Sequence, residues 1–243
     1  MKAYKRTYLI AISMMILLTS MNSCGFDLNT IKGNGVMTTS DFSLEEFTAI
    51  DAAGMYRIIL KKGSTPFVQI ETDENIMPYV NVKVERGTLK IYMDRGNTYR
   101  PGRMEVYITM QNPERISLSG ATSFSSDDII TTDRLELDLS GATDLKLSVD
   151  VGSLHTTVSG AGSIELQGNA QSHHVQLSGA ASLKCGDLIT RETAVNISGA
   201  GSAEVYATEK LNAGIAGVGS IRYGGDPASI NMSKSGLGSI KPL

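Results

Sequence analysis

Between residues 55 and 110, apolar side chains recur at every second position in short runs set apart by turn-forming residues. MYRIIL (55–60), FVQIET (67–72), VNVKVE (80–85), TLKIYM (88–93) and MEVYITM (104–110) are such runs. Val80, Val82 and Val84 fall on one side of an extended chain, as do Leu89, Ile91 and Met93. That alternation predicts strands with one buried face. Arg86-Gly87 between these last two runs predicts a tight β-turn. No stretch carries the period of an amphipathic helix; residues 41–48 offer at most one turn around Leu44-Glu45-Glu46.

From residue 116 the pattern becomes a repeat. LSGATSF, LSGATDL, VSGAGSI, LSGAASL, ISGAGSA, IAGVGSI and KSGLGSI share the frame L-S-G-A-x-S-L/I. Their central glycines are Gly120, Gly141, Gly160, Gly179, Gly199, Gly217 and Gly236, spaced 21, 19, 19, 20, 18 and 19 apart. Self-similarity at this period predicts a solenoid of stacked rungs. Two positions before the glycine stand Leu118, Leu139, Val158, Leu177, Ile197 and Ile215. Four positions after it stand Phe124, Leu145, Ile164, Leu183, Ala203 and Ile221. Period-two patterning on both sides, as in Leu135-Leu137-Leu139 and Leu145-Leu147-Val149, makes both arms strands and the SGAxS segment the bend. Gly and Ala at the bend suit close stacking of one rung on the next. The expected organisation is all-β, with a β-rich N-terminal region over 36–115 and a β-solenoid of about seven rungs, 19–20 residues each, over 116–243.

Five positions after the glycine the column reads Ser125, Lys146, Glu165, Lys184, Glu204, Arg222, Lys241. From 146 to 222 the sign alternates strictly. Unlike charges on adjacent strands favour the correct register and penalise a one-rung slip.

The first residues belong to export. Lys2, Lys5 and Arg6 precede an apolar core, YLIAISMMILL (8–18), which is too short to span a bilayer. Small and polar residues follow, ending in Met21, Asn22, Ser23 and Cys24, in the order of a lipoprotein signal. Residues 1–23 then form a signal peptide, Cys24 carries the lipid, and 24–35 form a tether. The other cysteine, Cys185, has no partner if Cys24 is acylated, and it aligns with Leu147, Leu166, Val205 and Tyr223 as a buried small hydrophobe. After residue 23, nineteen cations face twenty-five carboxylates. A mildly acidic chain without a basic patch excludes nucleic acid as an expected partner.

FTAIDAAGMYRIILKKG, then FVQIETDENIMPYVNVKVERGTLKIYM, then the SGA repeats, resemble the bacterial head GIN domain family of auto-transporter adhesins. The resemblance covers residues 36–243. It implies a right-handed parallel β-helix on an exported, often lipidated protein, and it brings no catalytic residues.

Candidate chemistry is sparse. Glycoside cleavage uses two carboxyl groups set across the bond, yet the column three before the glycine holds one acid, Asp138, among Ser117, Thr157, Gln176, Asn196, Gly214 and Ser233. Glu165 and Glu204 are separated by Lys184. ETDEN (71–75) reads as a solvated turn. The ladder Ser119, Ser140, Ser159, Ser178, Ser198 has no flanking His or Asp column to activate it, so it is expected to satisfy backbone groups. His155 and His174 share an outward column with His173 alongside; lacking further ligands, all three read as surface histidines rather than a metal site. Asp144 is the one acid at its bend position, which excludes a calcium β-roll. GNG (33–35) is too short for a phosphate loop and reads as tether. No catalytic, cofactor or metal residue is assigned; the one site residue is Cys24. The expected function is a membrane-anchored envelope module, at the outer membrane, cell surface or periplasmic face, that binds a glycan or protein surface multivalently. Apolar columns fill the interior, so no metabolite pocket is expected there. A structural envelope protein is the alternative, and a polysaccharide-active β-helix enzyme stands third.

Overall fold

The computed structural model describes residues 29–243. Residues 1–23, expected to form a signal peptide, and Cys24 lie outside the described residues. In chain order the strands are β1 (Asn29–Lys32), β2 (Met37–Ser43), β3 (Ala49–Lys62), β4 (Phe67–Asp73), β5 (Val80–Glu85), β6 (Thr88–Met93), β7 (Asn97–Arg100) and β8 (Met104–Met110). They continue as β9 (Arg115–Leu177), β10 (Ala180–Lys184), β11 (Leu188–Ile197), β12 (Ser202–Tyr206), β13 (Lys210–Gly217), β14 (Ser220–Gly224), β15 (Ser229–Gly236) and β16 (Ser239–Pro242). A single 3-10 turn, Met77–Tyr79, interrupts them. Leu44–Glu46 is irregular rather than helical.

Pairing in the second half is parallel, in the register set by the glycines. On the arm before the bend, Ile197 pairs with Leu177, Ile215 with Ile197, and Lys234 with Ile215. On the arm after it, Leu183 pairs with Ile164 and Ala203, and Ile221 with Ala203 and Ile240. Pairing persists around the bends of β9, which is why it runs 63 residues unbroken. The inward columns are buried along their length, including Leu118, Leu139, Val158, Leu177, Ile197 and Ile215. Each such side chain removed from water contributes about 1.5–3 kcal/mol. Cys185 is buried with them, and burial pushes its thiol pKa far above the ordinary range.

The bend column has a steric cause. A Cβ placed on Gly120 would lie 2.2 Å from the carbonyl oxygen of Gly54, on Gly141 2.3 Å from that of Gly120, and on Gly160 2.0 Å from that of Gly141. The contact continues through Gly179, Gly199, Gly217 and Gly236, each over the glycine of the rung before. Only some of these residues have positive φ. Close backbone approach, rather than conformational freedom, therefore demands glycine along the whole column.

Parallel pairing also continues upstream of residue 116. β3 lies on the start of β9 from Ala49↔Arg115 to Leu60↔Ser126, with Gly54 opposite Gly120. The next layer is made by two separate strands: β6 pairs with residues 49–53 of β3, and β8 with residues 57–62. Antiparallel strands then end the stack. β5 covers β6, β4 covers β8, and β2 covers β4. The β5–β6 turn is Arg86 (φ 53°) and Gly87 (φ 72°), the doubly left-handed pair of a two-residue hairpin. It brings Val80, Val82 and Val84 opposite Met93, Ile91 and Leu89.

Gly160→Ala should destabilise the protein by about 3 kcal/mol, because its methyl group meets backbone that can move only by separating rungs. Gly186→Ala, whose Cβ would have its nearest neighbour 4.0 Å away, should be close to neutral. Urea unfolding of the two variants checks this; equal midpoints would contradict the steric account.

Candidate binding groove and outward faces

The split layer above β3 leaves a gap. β6 stops at Met93 and β8 starts at Met104, so residues 54–56 of β3 have no strand paired on that side. The intervening chain swings out to form β7, which pairs with β1 in a separate two-stranded ribbon. A groove of about 680 Å³ results. Its floor is Ala53, Gly54 and Met55, and its walls include Tyr92, Met93 and Tyr99. Lys83, Lys90 and Arg95 supply cations, and Asp51 one carboxylate. Lys83 lies 2.7 Å and Lys90 3.0 Å from Glu85, and the Lys83 ammonium sits 5.4 Å from the Tyr92 ring centroid. Hydrogen bonds from Lys83 and then Lys90 hold the Glu85 carboxyl down at about 2. Tyr99 is fixed from behind by Tyr79, with ring centroids 5.3 Å apart.

From Asp51 a polar column leads away along the stack. Asp51 pairs with Ser117; Asn196 pairs with Gln176 and Gly214, and Gly214 with Ser233. This is the column three before the glycine, and its first member lines the groove. The charge column five after the glycine is also in register, with Lys184 between Glu165 and Glu204 and Arg222 beside Glu204. Two ion pairs form along it, Lys146–Glu165 at 3.7 Å and Arg222–Glu204 at 3.2 Å. All are solvent-exposed and worth little individually. The serine ladder behaves as expected where it is bonded: Ser140 donates to the Leu118 carbonyl and Ser178 to that of Val158.

Three sequence expectations change. Asp73, within the supposed solvated turn ETDEN, is buried. Its carboxylate accepts the Gly35 N–H at 2.7 Å and the Gly102 N–H at 2.7 Å, and these bonds, Gly35 first, hold its pKa below the usual carboxylate range. Nearby, Asn34 donates to Glu74, and Asn75 donates to the Lys32 carbonyl. The GNG segment is therefore gripped by the turn rather than free of it. His173 is not a surface residue. It occupies the buried column of Leu154 and Leu135, bonded at 3.1 Å to the buried Thr156 hydroxyl. Desolvation drives its pKa down to about 3. His155 and His174 remain half-buried with rings 5.8 Å apart. No cluster of three or more metal-ligating side chains occurs among the described residues.

A pair of carboxylates escaped the sequence reading because its members come from strands 34 residues apart. Glu71 and Glu105 face each other across β4 and β8. Arg103 bridges them, at 3.6 Å from Glu71 and 2.7 Å from Glu105, and the Tyr107 hydroxyl donates to Glu105 at 2.6 Å. Arg103 and then Tyr107 lower the Glu105 pKa. A glycosidase acid needs its carboxyl raised and protonated; Glu105 is held in the opposite state.

The architecture is thus all-β, a mostly parallel sheet with polar columns on its outer faces. The chain belongs to the family described as "Putative auto-transporter adhesin, head GIN domain", whose model matches residues 46–227. A "putative adhesin" from Bacteroides fragilis NCTC 9343 is similar in structure at 27% identity and TM-score 0.83, covering 88% of this chain and 100% of that one. A "putative lipid binding protein" from Parabacteroides distasonis ATCC 8503 shares the fold at 24% identity and TM-score 0.70, with 88% and 100% coverage. So does a "putative adhesin" from Parabacteroides merdae ATCC 43184, at 24% and TM-score 0.69, with 88% and 99% coverage. Comparison with curated proteins gives no match. Among the described residues no helix is long and apolar enough to cross a membrane.

The buried histidine generates a pH prediction. The unfolded chain protonates His173 near pH 6.5 and the folded chain only near pH 3. Stability from this residue is therefore complete above about pH 6.5 and falls as pH drops, by about 2 kcal/mol at pH 5. His173→Leu combined with Thr156→Val should flatten the fall in melting temperature between pH 7 and pH 5. An unchanged slope in the double variant would show that other groups set it.

Proposed function

We propose that this protein is a lipid-anchored, non-catalytic envelope module that holds an extended polymer, such as a glycan chain, along one outward face. The β-stack is read as a right-handed parallel β-helix, with Cys24 carrying the anchor. The observation that carries the reading is the continuity between the groove and the polar column that starts at Asp51. Eight in-register positions from Asp51 to Ser233 span seven steps of about 4.8 Å, or about 34 Å. A track of that length suits a chain better than a compact metabolite. The groove at its head adds what the flat face lacks: the Tyr92 ring, apolar Met55 and Met93, and three cations. Hydroxyl and amide groups along the track bond weakly one at a time, so many anchored copies on one membrane multiply retention. Membership in an adhesin family supports binding over turnover.

Two measurements test this. Soluble protein and bead-clustered protein are compared on arrays of envelope and host glycans. Clustered protein should be retained on at least one polymer at least ten-fold better than soluble protein, and Tyr92→Ala should reduce that retention. Retention of neither form, or release of glycan fragments by the soluble protein, would reject the reading in favour of a structural or an enzymatic role. The anchor is tested separately. Cys24→Ala should move the protein from the membrane to the soluble fraction, and undiminished membrane recovery would remove the lipoprotein assignment.

A further inference from the structure

Charge is not spread evenly over the molecule. Residues 76–103 hold six cations (Lys83, Arg86, Lys90, Arg95, Arg100 and Arg103) against two carboxylates, Glu85 and Asp94. Residues 104–243 hold nine cations against fifteen carboxylates. The basic segment contains β7, and β7 pairs with β1, the first described strand. One segment of an otherwise acidic protein is thus basic, and it lies where the chain enters the fold, beside residues 29–75 with their four cations and seven carboxylates.

The ribbon itself carries a local signal. In the β1–β7 register Lys32 stands directly opposite Arg100. Paired residues of parallel strands project to the same side, so two cations share one surface of a two-stranded ribbon. Both are exposed, and neither makes an ion pair among the described residues. Arg95, just before β7, is likewise exposed and unpaired among them. Like charges placed directly opposite destabilise a sheet unless an anion lies between them. The fold nevertheless fixes this ribbon firmly: the Gly33 N–H donates to the Arg100 carbonyl, and Asp73 binds the backbone on both sides, at Gly35 and Gly102.

The distance to the membrane is short. Four residues, 25–28, separate Cys24 from Asn29. Five chain steps reach at most about 18 Å. Because Asp73 and β7 grip the chain from residue 29 onward, no further slack is available. The basic ribbon is therefore held against the surface into which the lipid inserts, while the acidic stack extends away from it.

We propose that the outward surface of the β1–β7 ribbon docks on the anionic phospholipid headgroups of the membrane to which the protein is tethered, with Lys32 and Arg100 on lipid phosphates. This rests on the reading of Cys24 as the lipid anchor. The contact orients the molecule. Headgroup phosphates neutralise the ribbon's like charges, and the same surface repels the acidic stack and sets it upright. The track that begins at Asp51 then points away from the bilayer.

The test uses the mature chain, residues 24–243, carrying Cys24→Ser so that no lipid contributes. It is sedimented with vesicles of phosphatidylcholine alone or of equimolar phosphatidylcholine and phosphatidylglycerol, at low salt. The protein should sediment with the anionic vesicles and not the neutral ones, despite its net negative charge, and release as salt rises. Each cation close to an anionic surface contributes about five-fold in partition. Lys32→Gln with Arg100→Gln should therefore lower partition about 25-fold, without lowering the melting temperature. Lys234→Gln with Lys241→Gln removes the same charge at the far end of the stack and should leave partition unchanged. Equal binding to neutral vesicles, no binding to either, or equal loss from both double variants would overturn the proposal. Because this chain carries no lipid, those outcomes leave the Cys24→Ala fractionation to decide the anchor independently.

Discussion

At every bend in this protein the backbone of one rung presses on that of the next, each glycine lying over the carbonyl of the glycine one rung earlier. No Cβ fits there. That contact fixes the spacing and the register of everything else. Once Gly160 sits on Gly141, Val158 must lie over Leu139 and Ile164 over Leu145, and the apolar columns fill without gaps. The same alignment places Lys184 between Glu165 and Glu204 on the outside. Register thus comes from steric exclusion inside and charge alternation outside, with the exclusion much the stronger. The exposed ion pairs contribute a few tenths of a kcal/mol each, whereas a methyl group in the bend has nowhere to go.

This constraint explains what could be read in the sequence. A close backbone contact repeated on every rung leaves glycine at a fixed spacing, and the flanking apolar columns follow from it. Burial of Cys185 and the Arg86-Gly87 turn were legible for the same reason: each is a local consequence of period or of backbone conformation. The first rung was not legible. Gly54 belongs to the column, but Ala53 and Met55 replace the usual Ser and Ala, and the preceding layer is divided between β6 and β8. Without a full rung above it, Gly54 is under weaker steric demand from its neighbours on that side, and the motif blurs.

Other misses share a cause: they depend on partners distant in sequence. Asp73 looks like an ordinary turn acid until Gly35 and Gly102 arrive from segments about 30 to 40 residues away. His173 lies in a column that holds Leu135 and Leu154 before it and Thr193 after it, and the Thr156 hydroxyl on the rung before bonds its ring and makes its burial tolerable. The groove comes from a strand pairing that does not occur, above residues 54–56, and no residue pattern records a missing neighbour. Glu71 and Glu105 meet only because β4 turns back antiparallel on β8.

The two ends of the stack are finished by different means, and the difference bears on where recognition can take place. A parallel stack ends in unpaired backbone groups that invite another strand. At the N-terminal end, antiparallel β2, β4 and β5 occupy those positions, with the basic ribbon beside them. At the C-terminal end no strand follows β15 and β16 among the described residues, and Ile230, Met232 and Leu237 are exposed. Yet the inward column two before the glycine does not end in an apolar residue. Lys234 stands where Ile215, Ile197 and Leu177 stand on earlier rungs, and Pro242, opposite Tyr223, cannot donate to a further strand. Laying another rung on this end would bury an unpaired ammonium, a cost that apolar contact with Ile230 and Met232 would have to exceed. Growth along the stack axis is therefore opposed at both ends. What the two ends leave open is the lateral surface: the groove over Gly54, the polar track that runs from it, and the charged column on the other side of the bend.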